Sequence, residues 1–88
     1  MNVEFLAEVK EELNQEVEYY ERKEVAHVLT RIASDPLLWR ERPGGYRRVN
    51  CPVFPCYVAY IIRSDLVVVV AIASSHRHPD YWKKRLNT

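Results

Sequence analysis

No apolar run in this 88-residue sequence is longer than Leu66 to Ala73. A helix needs about 20 such residues to cross a bilayer, so a membrane-spanning helix is excluded and no membrane partner is expected. The opening Met-Asn-Val-Glu-Phe lacks the basic start and apolar stretch of a secretory signal. The expected location is therefore the cytoplasm. Cysteine is scarce: only Cys51 and Cys56 occur, with no Cys-x-x-Cys spacing, and the three histidines sit elsewhere. That pattern gives no metal-ligand set, so no metal and no cofactor are expected. In a cytoplasmic protein the two thiols should stay reduced. Glycine is nearly missing too, with two residues side by side at Gly44 and Gly45.

What the sequence does have is length for one domain, residues 1–88, and charge set out unevenly. A core of this size is modest, so a partner or a dimer would add stability. The net charge of +1 hides an asymmetry. Met1 to Leu38 carry four Lys/Arg against nine Asp/Glu, and Trp39 to Thr88 carry nine against three. One surface should be acidic and the other basic. The basic half suits nucleic acid or an acidic protein, and the two halves are equally suited to attract each other across the fold.

Along the chain, Asn2 to Phe5 alternate polar and apolar, as a short strand does. The period then changes. Leu6, Val9, Leu13, Val17 and Tyr20 recur at helical spacing, followed by a second set of Val25, Val28, Leu29 and Ile32. The second stripe is rotated by roughly 100° from the first. A helical hairpin broken near Arg22-Lys23-Glu24 accounts for that rotation, although no Gly, Pro, Asn or Ser marks a break there. The alternative is one helix from Leu6 to Ser34, roughly 43 Å long, against a radius of gyration of roughly 12 Å for a domain of this size. Such a helix would favour a homodimer that exchanges elements. Ser34-Asp35-Pro36 ends the helical region.

Pro36 to Gly45 form a loop that Leu37, Leu38 and Trp39 should pin to the core. Three strand-like segments follow: Tyr46 to Cys51, Pro55 to Arg63, and Leu66 to Ala73. Their short links require antiparallel neighbours, so they form a meander. The last is apolar at every position, as expected of an interior strand. Pro79-Asp80 opens a short terminal helix through Arg85. The expected fold is α+β: an N-terminal strand, a helical hairpin or one long helix, a three-stranded antiparallel meander and a short C-terminal helix.

Three stretches carry a family resemblance. They are Trp39-Arg40-Glu41-Arg42-Pro43-Gly44-Gly45-Tyr46-Arg47-Arg48-Val49-Asn50, Phe54-Pro55-Cys56-Tyr57-Val58-Ala59-Tyr60, and Ala71-Ile72-Ala73-Ser74-Ser75-His76-Arg77-His78-Pro79-Asp80-Tyr81-Trp82-Lys83-Lys84-Arg85. With Glu8-Val9-Lys10-Glu11-Glu12-Leu13 and Tyr19-Tyr20-Glu21, they resemble the RelE/ParE superfamily of plasmid stabilisation toxins over nearly the whole chain. The chain departs from the family around Lys23-Glu24, where members usually carry a Gly-containing loop and a longer hairpin.

The resemblance implies a growth-inhibiting toxin with a cognate antitoxin partner. It leaves two targets open: DNA gyrase for the non-cutting branch, and ribosome-bound mRNA for the branch of endoribonucleases. Cutting RNA needs a base, cations for the phosphorane and an acid for the leaving oxygen. Tyr57 stands where the cutting branch carries a strand arginine, while Arg77 matches the family's terminal arginine and Tyr81 lies near its terminal tyrosine or histidine. The set is thus incomplete for a nuclease. An inactive dimeric interaction module is the remaining alternative.

The candidate catalytic residues are Arg77, His76 and Tyr81. An Arg fork suits phosphate or carboxylate, and histidine can exchange protons near neutral pH. If the last strand continues, His76 and His78 point to one side together. Arg47 and Arg48 are adjacent on a strand and face opposite ways. One of them, with Arg63 and Arg77, should make a shared basic face for target or nucleic acid. His78, Lys83, Lys84 and Arg85 are the other candidate contacts. Against each stands a structural role: an ion pair with a helix carboxylate, a solvated strand edge, or cations closing a helix. Tyr19 and Tyr20 are expected to pack on the helices with one ring exposed, Trp82 to anchor the terminal helix, and His27 to be structural.

Overall fold

The computed structural model describes residues 1–15 and 18–87. The expected first strand is β1, Asn2–Phe5, followed by α1, Ala7–Gln15, and α2, Tyr19–Ser34. Then come β2 (Arg47–Asn50), β3 (Cys56–Arg63), β4 (Leu66–Ser74) and α3 (Asp80–Lys83), continued by a 3-10 turn over Lys84–Asn87. The sheet order is β1-β4-β3-β2, with β1 parallel to β4 and the meander antiparallel. The chain is α+β, with a Cα radius of gyration of 11.9 Å.

β4 lies between β1 and β3, which is why its run Leu66 to Ala73 is apolar throughout: both faces are covered. On one face, Val9 of α1 and Val25, Val28 and Ile32 of α2 pack with Val58, Tyr60, Val67, Val69 and Ile72. On the other, Trp82 of α3 packs with Tyr46, Tyr57, Ala59, Ala71 and Ala73. Inward positions of β4 are odd up to Val69 and even at Ile72. The switch is a bulge: Tyr60 pairs with Val69 and Ala59 with Ala71, so Val70 has no opposite partner.

Several expectations are corrected. Arg22, Lys23 and Glu24 lie inside α2, and the helices part between Gln15 and Tyr19. Glu18 there is extended, with φ −74° and ψ 166°. With no Gly or Pro to stop it, α2 runs two turns ahead of its buried stripe. Tyr19 and Tyr20 are therefore both exposed, at 63% and 70%, rather than one ring being packed. Val17 of the first stripe lies outside the described residues. One uninterrupted helix, the ground for exchanged elements, is not found; α1 lies against β4 and α2 against β3 of the same chain. Leu37 and Leu38 are exposed and do not hold their loop. The Tyr60 hydroxyl does so by donating to the Pro36 carbonyl at 2.5 Å, and Arg47 Nε by donating to the Trp39 carbonyl at 2.9 Å. His27 is exposed rather than structural. Among the described residues, no helix is long and apolar enough to cross a membrane.

Candidate functional site

The face of the sheet beneath α3 gathers most of the aromatic and cationic side chains that the sequence singled out. Trp82, fully buried, fixes it. Its indole N–H donates to the Tyr57 hydroxyl at 2.7 Å, and its ring meets Tyr46 edge-on at 5.1 Å between centroids. Arg48 is opposite Ala59, so it projects from this same face. Its guanidinium lies 3.8 Å from the centroid of the Tyr57 ring, and its Nε donates to Asn50 Oδ1 at 3.0 Å. Arg77 repeats the arrangement one layer on, 4.0 Å above the ring of Tyr81, the neighbour of Trp82. A guanidinium stacked on a ring gains cation–π attraction and keeps its donors in its own plane, where they suit phosphate or carboxylate.

The segment carrying Arg77 is a turn and not a strand. β4 stops at Ser74, and the Arg77 amide donates back to the Ser74 carbonyl at 3.2 Å. The expected strand alternation of His76 and His78 around Arg77 is therefore corrected. His76 is exposed, with its amide bonded to Ser74 Oγ. His78 is engaged locally: its Nδ1 accepts from the Asp80 amide at 3.4 Å and lies 3.3 Å from the Asp80 carboxylate.

The expected grouping of Arg63 with Arg77 is also corrected. Arg63 pairs with Leu66, whereas Cys56, at the other end of β3, pairs with Ser74. Seven residues of strand at roughly 3.3 Å each put about 23 Å between those ends. Arg47, opposite Tyr60, serves the helix-covered face through its bond to Trp39. Arg85 is no surface contact either. It forms a two-pronged ion pair with Glu12, at 3.1 and 3.2 Å, and its side chain is only 11% exposed. Lys83 and Lys84 are exposed, as a solvated contact would be.

Glu12 is the residue sequence reasoning missed. It is the one charged side chain in the described core, three residues after Val9 on the buried stripe of α1. A carboxylate at that spacing was the available signal. Its partners explain it. β1 ends opposite Val69, and beyond that point Arg85 donates to the Val70 carbonyl at 3.0 Å while Glu12 accepts the Ile72 amide at 3.4 Å. The pair thus serves the bulged backbone, whose polar groups must find partners when buried. Arg77, Tyr81 and Arg85 face Glu8, Glu11, Glu12 and Gln15 of α1 across a polar cleft of about 260 Å³. Part of the charge asymmetry is therefore spent within the fold. Among the described residues no cluster of His, Cys, Asp or Glu could hold a metal.

No known protein-family profile matches the chain, and no curated protein matches it. Solved structures do. The intact E. coli RelBE toxin–antitoxin complex contains a chain that superposes with a TM-score of 0.73 at 13% identity, covering 86% of this chain and 98% of that one. The isolated E. coli RelE toxin superposes with a TM-score of 0.75 at 11% identity, over 98% of this chain and 96% of that one. At such low identity the likeness is one of fold, and this chain has the fold of the E. coli RelE toxin.

Proposed function

We propose that this chain is the toxin component of a type II toxin–antitoxin pair, held silent by a cognate antitoxin protein. The observation that carries the reading is the pair of guanidiniums set on rings, Arg48 over Tyr57 and Arg77 over Tyr81, borne on a RelE-like fold. A half-exposed guanidinium on the sheet and an exposed one on the turn after β4 suit an anionic macromolecular surface. Arg48, Arg77, Lys83 and Lys84 are the contacts we assign to the target. At β1 and α1, a groove lined by Phe5, Val9, Lys10, Leu13 and Asn14 suits an apolar antitoxin segment, laid in as a helix or an extended strand.

The toxin acts by binding, with DNA gyrase as the target. Tyr57, at the position where the cutting branch carries a strand arginine, is buried and accepts the Trp82 N–H. It is therefore poorly placed for proton transfer, which needs a group within reach of substrate. One observation favours a second reading, a ribosome-dependent mRNA endoribonuclease. Arg48 lays a guanidinium over Tyr57, so β2 supplies a cation where the strand arginine is lacking. Induced expression without antitoxin should arrest growth, and purified gyrase should lose supercoiling activity in the presence of the protein. New messenger 5′ ends with unaffected gyrase would select the second reading, and unimpaired growth would remove both.

A further inference from the structure

Cys51 and Cys56 belong to neither the cation–aromatic face nor the ion pair behind it. Asn50 is opposite Tyr57 in the β2–β3 ladder, so the next pair outward is Cys51 with Cys56. The Cys51 amide donates to the Cys56 carbonyl at 2.9 Å, and both side chains enter the helix-covered core. Their Sγ atoms share a hydrogen bond at 2.8 Å. The loop between them is Pro52-Val53-Phe54-Pro55. Glu24 of α2 clamps it, its Oε1 accepting the Val53 and Phe54 amides at 3.0 Å each.

Directly opposed residues of an antiparallel pair hold their Cα atoms about 4.5–5.5 Å apart, inside the range of about 4.4–6.8 Å that a disulfide requires. The pairing and the 2.8 Å between the Sγ atoms therefore suit a disulfide. Sharing one proton draws the Cys56 thiol down and pushes Cys51 up.

We propose that Cys51 and Cys56 form a reversible dithiol–disulfide pair, oxidised by a small disulfide of the glutathione class. One of the two thiols, as thiolate, attacks one sulfur of the small disulfide, forming a mixed disulfide and expelling one small thiolate. The other thiol loses its proton to solvent and attacks the protein sulfur of that mixed disulfide, expelling the second small thiolate. The protein gives up two electrons and two protons, and the oxidant leaves as two thiols. The loop so closed also bears on the cation face. The Pro55 carbonyl accepts the Ser75 amide at 2.8 Å, two residues before Arg77, so the ring stiffens the strap that holds the Arg77 turn.

The test uses the purified full chain in glutathione buffers of stepped oxidised-to-reduced ratio, read by thiol titration and by intact mass after acid quenching. Both thiols should disappear together, with loss of two hydrogens from a chain that stays single and recovers both thiols in dithiothreitol. A lasting glutathione adduct, a disulfide-linked dimer, or two thiols that remain titratable in fully oxidised buffer would each overturn the proposal. A Cys51→Ser variant, left without the resolving thiol, should hold glutathione on Cys56 as a stable adduct, and its absence would overturn the proposal. None of these readings depends on growth or on a target, so their outcome is separate from that of the toxin proposal.

Discussion

Replacing Glu12 by Gln keeps its shape and removes its charge, so Arg85 keeps the Val70 carbonyl and the Tyr81 ring but loses its ion-pair partner in a largely buried place. The Glu12 side chain is 9% exposed and that of Arg85 11%, so solvent screens the pair little. Breaking a buried pair from one side costs about 3–5 kcal/mol, because a charge is left uncompensated. An 88-residue chain has a total stability of roughly 4–13 kcal/mol. The single substitution therefore removes a large share of it. Urea unfolding followed by tryptophan fluorescence should show a markedly lower midpoint with an unchanged slope. Arg85→Met should cost a similar amount. The double variant Glu12→Gln with Arg85→Met should cost far less than the two single losses added, since removing both charges ends the desolvation penalty along with the attraction. Additive losses, or a single loss below about 1 kcal/mol, would refute the claim that the pair acts as one unit at the bulge.

Three further outcomes follow from the same structure. Burial, reinforced by Asp35 and opposed by Arg47, pushes the Tyr60 hydroxyl up to about 12. Between pH 10 and 12 the unfolded chain has lost this proton and the folded one retains it, so stability should fall with rising pH over that window, on the order of 2–3 kcal/mol in all. Tyr60→Phe should flatten that part of a thermal-melt pH series. Ser64, in the β3–β4 turn, has φ 56°. A left-handed conformation costs a side-chain-bearing residue about 1–2 kcal/mol, so Ser64→Gly should be neutral or stabilising by up to about 1 kcal/mol in the same urea assay. Both α1 and α2 pack on the sheet of their own chain, with no long helix to exchange, so light scattering should return a monomer near 10.4 kDa.

The strands were legible because each leaves a pattern that burial dictates. β1 alternates, and β4, covered on both faces, is apolar throughout. The antiparallel order of β3 and β4 followed from the shortness of the link between Arg63 and Leu66. The helix break was harder to read, since no Gly or Pro marks it. Tyr20 fell on the apolar spacing of the first stripe, yet it lies on the exposed first turn of α2. Leu37 and Leu38 likewise misled, because their loop is tied down by hydrogen bonds from Tyr60 and Arg47. In the candidate site, Arg77 and Arg48 were visible as cations, but the rings beneath them depend on the turn between Arg77 and Tyr81 and on the β2–β3 pairing between Arg48 and Tyr57. Arg63 was misplaced since only the antiparallel register shows that it lies at the far end of β3 from Ser74. The role of Arg85 depended on the Val70 bulge, which no sequence pattern shows, and on Glu12, whose place on the buried stripe of α1 was the one available signal.

The most direct test of the toxin reading is growth after induced expression of wild type and of the double variant Arg48→Ala with Arg77→Ala, each confirmed folded by its thermal melt. Wild type should arrest the culture, and the double variant, produced at the same level, should let it grow as an uninduced control does. Equal arrest by both would contradict the account, because the two stacked guanidiniums would then have no part in meeting the target.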